Sequence, residues 1–269
     1  MRIVPTAEFA SLVYGPDGVA LDDPAETFHE ASRLYPNVAP GRLAALIALG
    51  RSPELQQTVA RASRTHDHRP GVDLPRVALP RTRFRDLLVR RRSSVADARR
   101  PLRLRDLATV LGAAYGGYER APGLRRRPVP SGGALYPLEL YVLALAVADV
   151  SPAAFHYNPF RHRLELLRRV APAAVAAVAV DPSVVERAAA VVVVTAMFWR
   201  SRVKYGLRGY RFALLEAGHV VQNAVLAATA LRLPALPLAG FYDRRLDELV
   251  GADGLDESSL YALVLGGRW

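Results

Sequence analysis

The chain has no cysteine, two methionines and, among 36 basic residues, a single lysine. Without cysteine there are no disulfide scaffolds, no zinc ribbons and no thiol nucleophile. Any catalysis must come from oxygen or nitrogen groups, or from a bound cofactor. Long apolar runs are missing too. The longest, AAAVVVVTAMFW at residues 188–199, is too short to cross a bilayer, and the opening MRIVPTAEFASLVYG lacks the charged start and apolar stretch of a signal peptide. These absences predict a soluble, cytoplasmic protein with no membrane partner.

What is present is a core and a surplus of arginine. Hydrophobic residues make up 51% of the 269 positions, enough to bury a sizeable interior. The net charge of +11 raises nucleic-acid binding, since arginine patches displace counterions from phosphate backbones. The arginines are spread along the chain, and no helix-turn-helix, zinc-finger or RNA-platform pattern accompanies them. Solvated charge serving solubility is the simpler reading, so no specific nucleic-acid partner is expected. An acidic partner or an anionic cofactor is the third option.

Texture divides the chain in two. Residues 1–80 read as an N-terminal accessory segment or arm, with helical spacing in RLAALIALG and SPELQQTVARAS, where Ser52 precedes Pro53 as a cap. The stretch THDHRPGVDLPRVALPRT is a linker, and its His66 and His68 read as loop histidines rather than metal ligands. Residues 81–269 form the main domain. RFRDLLVRR and LRLRDLATVLGAAYGG have helical spacing, the second stopping at Gly116 and Gly117. LELYVLALAV and AAAVVVVTAM read as strands, the latter buried on both faces. AFHYNPFRHRLELL reads as a hairpin turning at NPFR, and SSLYALVLGG as a closing strand. The long helix YRFALLEAGHVVQNAVLAATALRL is expected to present Leu214, Val221, Val225 and Ala228 on one face. Helices and strands mix without regular βαβ alternation, which favours an α+β fold.

Three stretches carry chemistry. RRRSS at 90–94 stands where a helix ends; guanidinium groups bind phosphate in two-pronged fashion and a serine adds a donor. By itself it reads as a solvated run, since arginine triplets recur in this chain, as in LRRRP at 124–128. PVPSGGALYPLELY at 128–141 places adjacent glycines where backbone can approach a ligand, with Tyr136 and Tyr141 flanking it as partners for a flat aromatic ring. It is neither a GxGxxG fingerprint nor a Walker loop, and a plain turn is the alternative. The third is Lys204, beside Tyr205. A lysine acting as general base needs a depressed pKa, which Arg202 and Arg208 would supply if the fold brings them close. An exposed lysine in a basic loop is the ordinary alternative. On the long helix, Glu216, His219 and Asn223 are spaced to share a face, and a buried, mutually satisfied polar network is the expected role.

Taken in order, these stretches resemble the flavin-dependent dehydrogenases of the nitroreductase superfamily. The nearest type is SagB/ThcOx/McbC, the azoline dehydrogenases of thiazole- and oxazole-containing peptide biosynthesis. The resemblance runs from about residue 84 to 269, with an echo in FHEASRLYP at 28–36. It implies a nitroreductase-like fold, a central, mostly antiparallel sheet flanked by helices, and a homodimer binding FMN. By motif matching, Arg91, Arg92 and Ser93 are implied to bind the flavin phosphate, with Arg268 of the final LGGR as a second contact. Pro130, Ser131, Gly132 and Gly133 are implied to line the isoalloxazine. Ala239 and Gly240, in PLAGFYD, are implied to meet its reactive nitrogen. Lys204 and Tyr205 are implied to deprotonate the substrate. Many relatives carry a basic residue where this chain has Val95. The implied substrate is an azoline-containing peptide, and the implied partner a cyclodehydratase. The alternatives are an NAD(P)H-dependent nitro or quinone reductase of the same fold, and a non-catalytic scaffold subunit that binds the peptide.

Overall fold

The structure, a computed structural model, describes residues 23–35, 63–121 and 124–268, together with positions 47, 51, 52 and 54. The two helices expected between 42 and 63 lie outside the described residues. The remaining elements follow chain order. Helix α1 spans Pro24–Ala31 and strand β1 Gly71–Asp73; α2 is Phe84–Arg90 and α3 Leu104–Tyr115. A small antiparallel pair follows, β2 (Tyr118–Ala121) and β3 (Leu124–Arg126). Then come β4 (Leu138–Ala144), β5 (Ala153–Asn158) and β6 (Arg163–Arg169), and the short helices α4 (Pro172–Ala176) and α5 (Ser183–Glu186). The last stretch holds β7 (Ala190–Met197), α6 (Phe198–Tyr205), α7 (Arg208–Ala230), β8 (Ala235–Leu238), α8 (Asp243–Val250) and β9 (Glu257–Leu265).

Seven strands form one sheet in the order β1-β6-β5-β4-β7-β9-β8, every neighbouring pair antiparallel. The α+β expectation therefore holds. Strand β7 lies near the middle, and its alternation explains its composition. Val192 and Val194 enter the core shared with α3 and α7, whereas Val191 and Val193 enter the one shared with α4, α5 and α8. A strand covered on both faces has no polar side, so its sequence is a continuous β-branched run.

Helix α3 buries Leu107, Val110, Leu111 and Ala114, the i, i+3, i+4, i+7 stripe of an amphipathic helix, and ends at Gly116. Helix α7 buries alanines and valines between Ala213 and Ala228. Those small residues let a helix of 23 residues lie close along the sheet. Leu214, expected on this face, is turned outward and is 44% exposed, whereas Val221, Val225 and Ala228 are buried.

The C-terminus of α7 is closed by two bonds. The Arg232 N–H donates to the Thr229 carbonyl at 3.1 Å and the Leu233 N–H to Ala228 at 2.8 Å, the paired pattern of a Schellman ending. Arg232 stands between them with φ +57°. Left-handed backbone costs a residue with a side chain about 1–2 kcal/mol, so this position most often holds glycine.

Charge is buried on one half of the sheet. Glu139, His156, Glu165 and Glu257, on four different strands, are all at most 1% exposed. Arg200 pairs with Glu139 at 2.7 Å, and His156 bridges Glu139 (3.1 Å) and Glu165 (3.0 Å). Arg64 pairs with Glu257 at 2.8 Å, and its backbone N–H donates to Glu139. Three carboxylates thus meet three cationic side chains, as buried charges require. Arg64 belongs to residues 63–73, which composition assigns to the N-terminal segment. This stretch lies against the sheet, continues into β1, and donates from the His66 N–H to Glu165 at 2.9 Å.

Candidate functional site

The glycine stretch builds a turn that few sequences tolerate. Gly133, Ala134 and Tyr136 have φ of +65°, +55° and +45°, three left-handed residues within four positions. Strain of this kind collects at functional sites because surrounding contacts must hold it. Those contacts are present. The Ser131 hydroxyl accepts from the Tyr136 N–H at 2.9 Å, the Ala134 N–H donates to the Ser131 carbonyl, and Pro137 leads directly into β4. Pro130 and Gly133 are exposed, while Ser131 and Gly132 are half-buried.

Lys204 and Tyr205, at the end of α6, meet this turn. A Cβ built on Gly133 would lie 2.7 Å from the Tyr205 hydroxyl and 3.0 Å from Lys204 Nζ. Glycine is required here by conformation and by space alike. At Gly132 the neighbour is Phe212, 2.9 Å from the same imagined atom, and Phe212 packs edge-on against Tyr205 with ring centroids 4.9 Å apart. The structure thus joins two stretches 70 positions apart in sequence. Arg200 braces the arrangement from beneath, donating to the Tyr136 carbonyl at 3.4 Å while paired with Glu139. Arg208 donates to the Ser32 carbonyl just past α1 and Arg202 is exposed; neither has a described contact with Lys204. Helix α1, which carries the FHEA echo, docks through Phe28 on Tyr210 at 5.3 Å between ring centroids.

Two other expectations are corrected. Tyr136 and Tyr141 are buried at 4% and 0% exposure, so neither offers a free face to a ligand. Tyr141 donates to Glu257 at 2.7 Å within the ionic layer, because its place in β4 points it to the sheet face opposite α7. Glu216, His219 and Asn223 do not form a closed network either. Only Glu216 is buried; His219 is exposed and Asn223 half-buried. Glu216 instead accepts from the Tyr115 hydroxyl at 2.7 Å and from Ser131. Burial pushes its carboxyl up to about 7 against the opposing pull of those two hydrogen bonds.

The arginine stretch opens a second region. Arg90, Arg91, Arg92, Ser94 and Arg232 line a cleft of about 640 Å³. Ser93 is exposed beside it, and the Ser94 N–H ties the stretch to Ala235 at the start of β8. The C-terminal glycines deliver Arg268 to the same end of the molecule. A side chain on Gly267 would collide with the Arg100 and Pro101 carbonyls, so only glycine lets the chain through. Arg268 then donates to the Leu231 carbonyl at 2.6 Å, next to Arg232. Ala239 and Gly240 form an exposed turn after β8, bonded through the Gly240 carbonyl to the Val180 N–H. No described contact joins that turn to the cleft or to Lys204.

Cleft and glycine turn flank opposite ends of α7. Phe212 touches the turn and Thr229 lines the cleft; 17 residues of helix separate them, about 25 Å. Within one chain the structure does not bring the phosphate-binding candidates and the Lys204 pair together.

The sequence profile of the Nitroreductase family matches residues 88–267, and the chain belongs to that family. Within it, the chain is 36% identical over 169 residues to MJ1384 of Methanocaldococcus jannaschii, described as a candidate nitroreductase, covering 62% of this chain and 84% of that protein. It is 32% identical over 145 residues to the microcin B17-processing protein McbC of Escherichia coli, covering 49% of this chain and 51% of McbC. That match spans only about half of McbC. Among solved structures, the Escherichia coli microcin synthetase McbBCD complex with truncated pro-MccB17 bound contains a chain of like fold. It is 24% identical, with a TM-score of 0.60 over 86% of this chain and 95% of that one. The fold and the SagB/McbC-type resemblance are thereby supported together.

Members of this family typically bind FMN, and the residue types present suit it. The exposed backbone of Gly133 offers a surface to a flat ring, and the cleft arginines carry charge suited to a phosphate. Arg200, Phe212, Glu139 and Arg232 were not legible as site residues. The available signal for Glu139 was a lone carboxylate inside an otherwise apolar strand.

Proposed function

We propose that the chain is an FMN-dependent oxidoreductase that dehydrogenates azoline rings of a modified peptide to azoles. The observation that carries this reading is the meeting of Lys204 and Tyr205 over Gly133, in the turn that resembles the isoalloxazine-lining segment. Pro130, Ser131, Gly132 and Gly133 would hold the ring system, and Arg91, Arg92, Ser93 and Arg268 the phosphate, with Ala239 and Gly240 approaching from a separate turn. When bound, FMN supplies the two-electron acceptor for hydride. Lys204 Nζ takes the proton from the acidic ring carbon, so that loss of one proton and one hydride leaves the aromatic ring. The Tyr205 hydroxyl, alongside, holds the amine in place and relays the proton outward. Dioxygen is the terminal acceptor, and a cyclodehydratase supplies the azoline peptide.

Lys204→Ala tests the assignment. It is expected to abolish azoline oxidation while leaving flavin bound and dye reduction by NAD(P)H intact. Loss of flavin would move Lys204 to cofactor binding. Unchanged azoline oxidation would overturn its role as base. Nitro or quinone reduction driven by NAD(P)H, the alternative favoured by the likeness to MJ1384, predicts no dependence on Lys204.

We further infer a homodimer. Cleft and glycine turn stand at opposite ends of α7, farther apart than one flavin mononucleotide extends. The outward side of α7 carries Leu214 and Leu215, 44% and 61% exposed, and a Cβ at Gly218 would meet nothing within 4 Å. Two copies of α7 packed antiparallel about a two-fold axis would cover this apolar side and set each chain's cleft beside its partner's turn.

A further inference from the structure

The Schellman ending of α7 places an arginine where glycine is at ease. Arg232 holds φ +57°, a conformation that glycine adopts freely and a long side chain does not. The strain is kept at a residue that lines the arginine cleft together with Arg90, Arg91 and Arg92. No carboxylate lines that cleft, and none of the four arginines has an ion-pair partner among the described residues. Elsewhere in the fold, Arg64, His156 and Arg200 are matched by Glu139, Glu165 and Glu257. Unmatched like charges gathered round a cavity repel one another and focus an attractive field on anions. A ligand that brings negative charge relieves that repulsion, and guanidinium groups suit phosphate oxygens better than any other side chain.

We propose that Arg232 is a phosphate-contacting residue of the cofactor cleft, held there by the left-handed helix ending. It adds a further guanidinium to those that motif matching assigns, Arg91, Arg92 and Arg268. The chemistry it recognises is a phosphate monoester dianion, and the consequence is a flavin site that depends strongly on that phosphate. This inference rests on the flavoprotein reading above.

The experiment compares FMN with riboflavin, the same ring system without the phosphate, on the full chain. Dissociation constants are read from recovery of flavin fluorescence on dilution of the loaded protein, for wild type, Arg232→Gly and Arg232→Lys. Arg232→Gly is expected to weaken FMN binding roughly tenfold, the order for losing one charge-assisted contact. Riboflavin binding should not change, and Arg232→Lys should fall between, keeping charge but not the planar fork. Because glycine relaxes the backbone, the unfolding midpoint of Arg232→Gly is expected to be no lower than that of wild type, which controls for misfolding. Equal FMN affinity in wild type and Arg232→Gly would overturn the proposal. Equal weakening for FMN and riboflavin would also overturn it, leaving Arg232 a role in shaping the cleft. Wild-type protein that binds neither flavin takes down the flavoprotein reading itself, and this inference with it.

Discussion

Gly133 shows most directly how one residue's lack of a side chain organises the site. Its φ of +65° and the nearness of the Tyr205 hydroxyl and Lys204 Nζ make two separate demands, and alanine fails both. Gly133→Ala is therefore expected to cost about 1–2 kcal/mol in stability from the backbone alone. It should also displace Lys204 and Tyr205, so that the proposed azoline oxidation, measured per bound flavin, falls by more than about tenfold. Denaturant titration and single-turnover assays check the two halves independently; a variant with native turnover would show that the pair need not sit against the turn. At this scale the sequence was informative where a residue stands out by type. A sole lysine next to a tyrosine, and a double glycine between a serine and a proline-led strand, drew notice on their own. Arg232 and Arg200 did not, since an arginine among 36 basic residues carries no signal until the backbone shows which is strained and which is buried.

Elements were legible where one period dominates. The valine run of β7, the stripe of α3 and the hairpin turning at Asn158–Arg161 all follow from spacing. The ionic layer across the sheet did not, because its members come from strands whose pairing order no local pattern encodes. It has a measurable signature. Burial on its own would lower the His156 pKa, but the hydrogen bonds its ring donates to Glu139 and Glu165 raise it to about 9, and the two carboxyls are held down at about 2 despite their own burial. A histidine raised in the folded state contributes stability that is complete below its unfolded value of about 6.5 and is lost as pH climbs through about 9. The depressed carboxylates contribute above about 4.5 and lose that contribution as pH falls toward 2. The unfolding midpoint is thus expected to be highest between about pH 4.5 and 6.5. Between pH 6.5 and 9.5 it should fall by roughly 5–10 °C. His156→Gln, lower throughout, should lack most of that alkaline decline. Thermal scans across buffers decide it, and an equal decline in both proteins would place the titrating group elsewhere.

For the molecule as a whole, class and family were readable because motif order survives where individual motifs are short, whereas assembly was not. An exposed leucine pair on a helix is unremarkable in a string of letters; it gains meaning once Leu214 and Leu215 are seen along the outer side of α7, between the arginine cleft and the glycine turn. Leu215→Glu is expected to give a monomer in light scattering and, because each site would draw on both chains, to lose most of its FMN in the same step. A monomer that keeps full flavin would show that one chain completes its site alone.

The family profile begins at residue 88, yet Arg64 supplies one of the three cations facing Glu139, Glu165 and Glu257. The unit that can be inherited, swapped or transplanted intact is consequently longer than the unit recognised by similarity. A chimera joined at residue 88 would receive the acidic strand layer with His156 and Arg200 in place but with Glu257 stripped of Arg64. One joined before residue 63 would carry its own neutralisation with it.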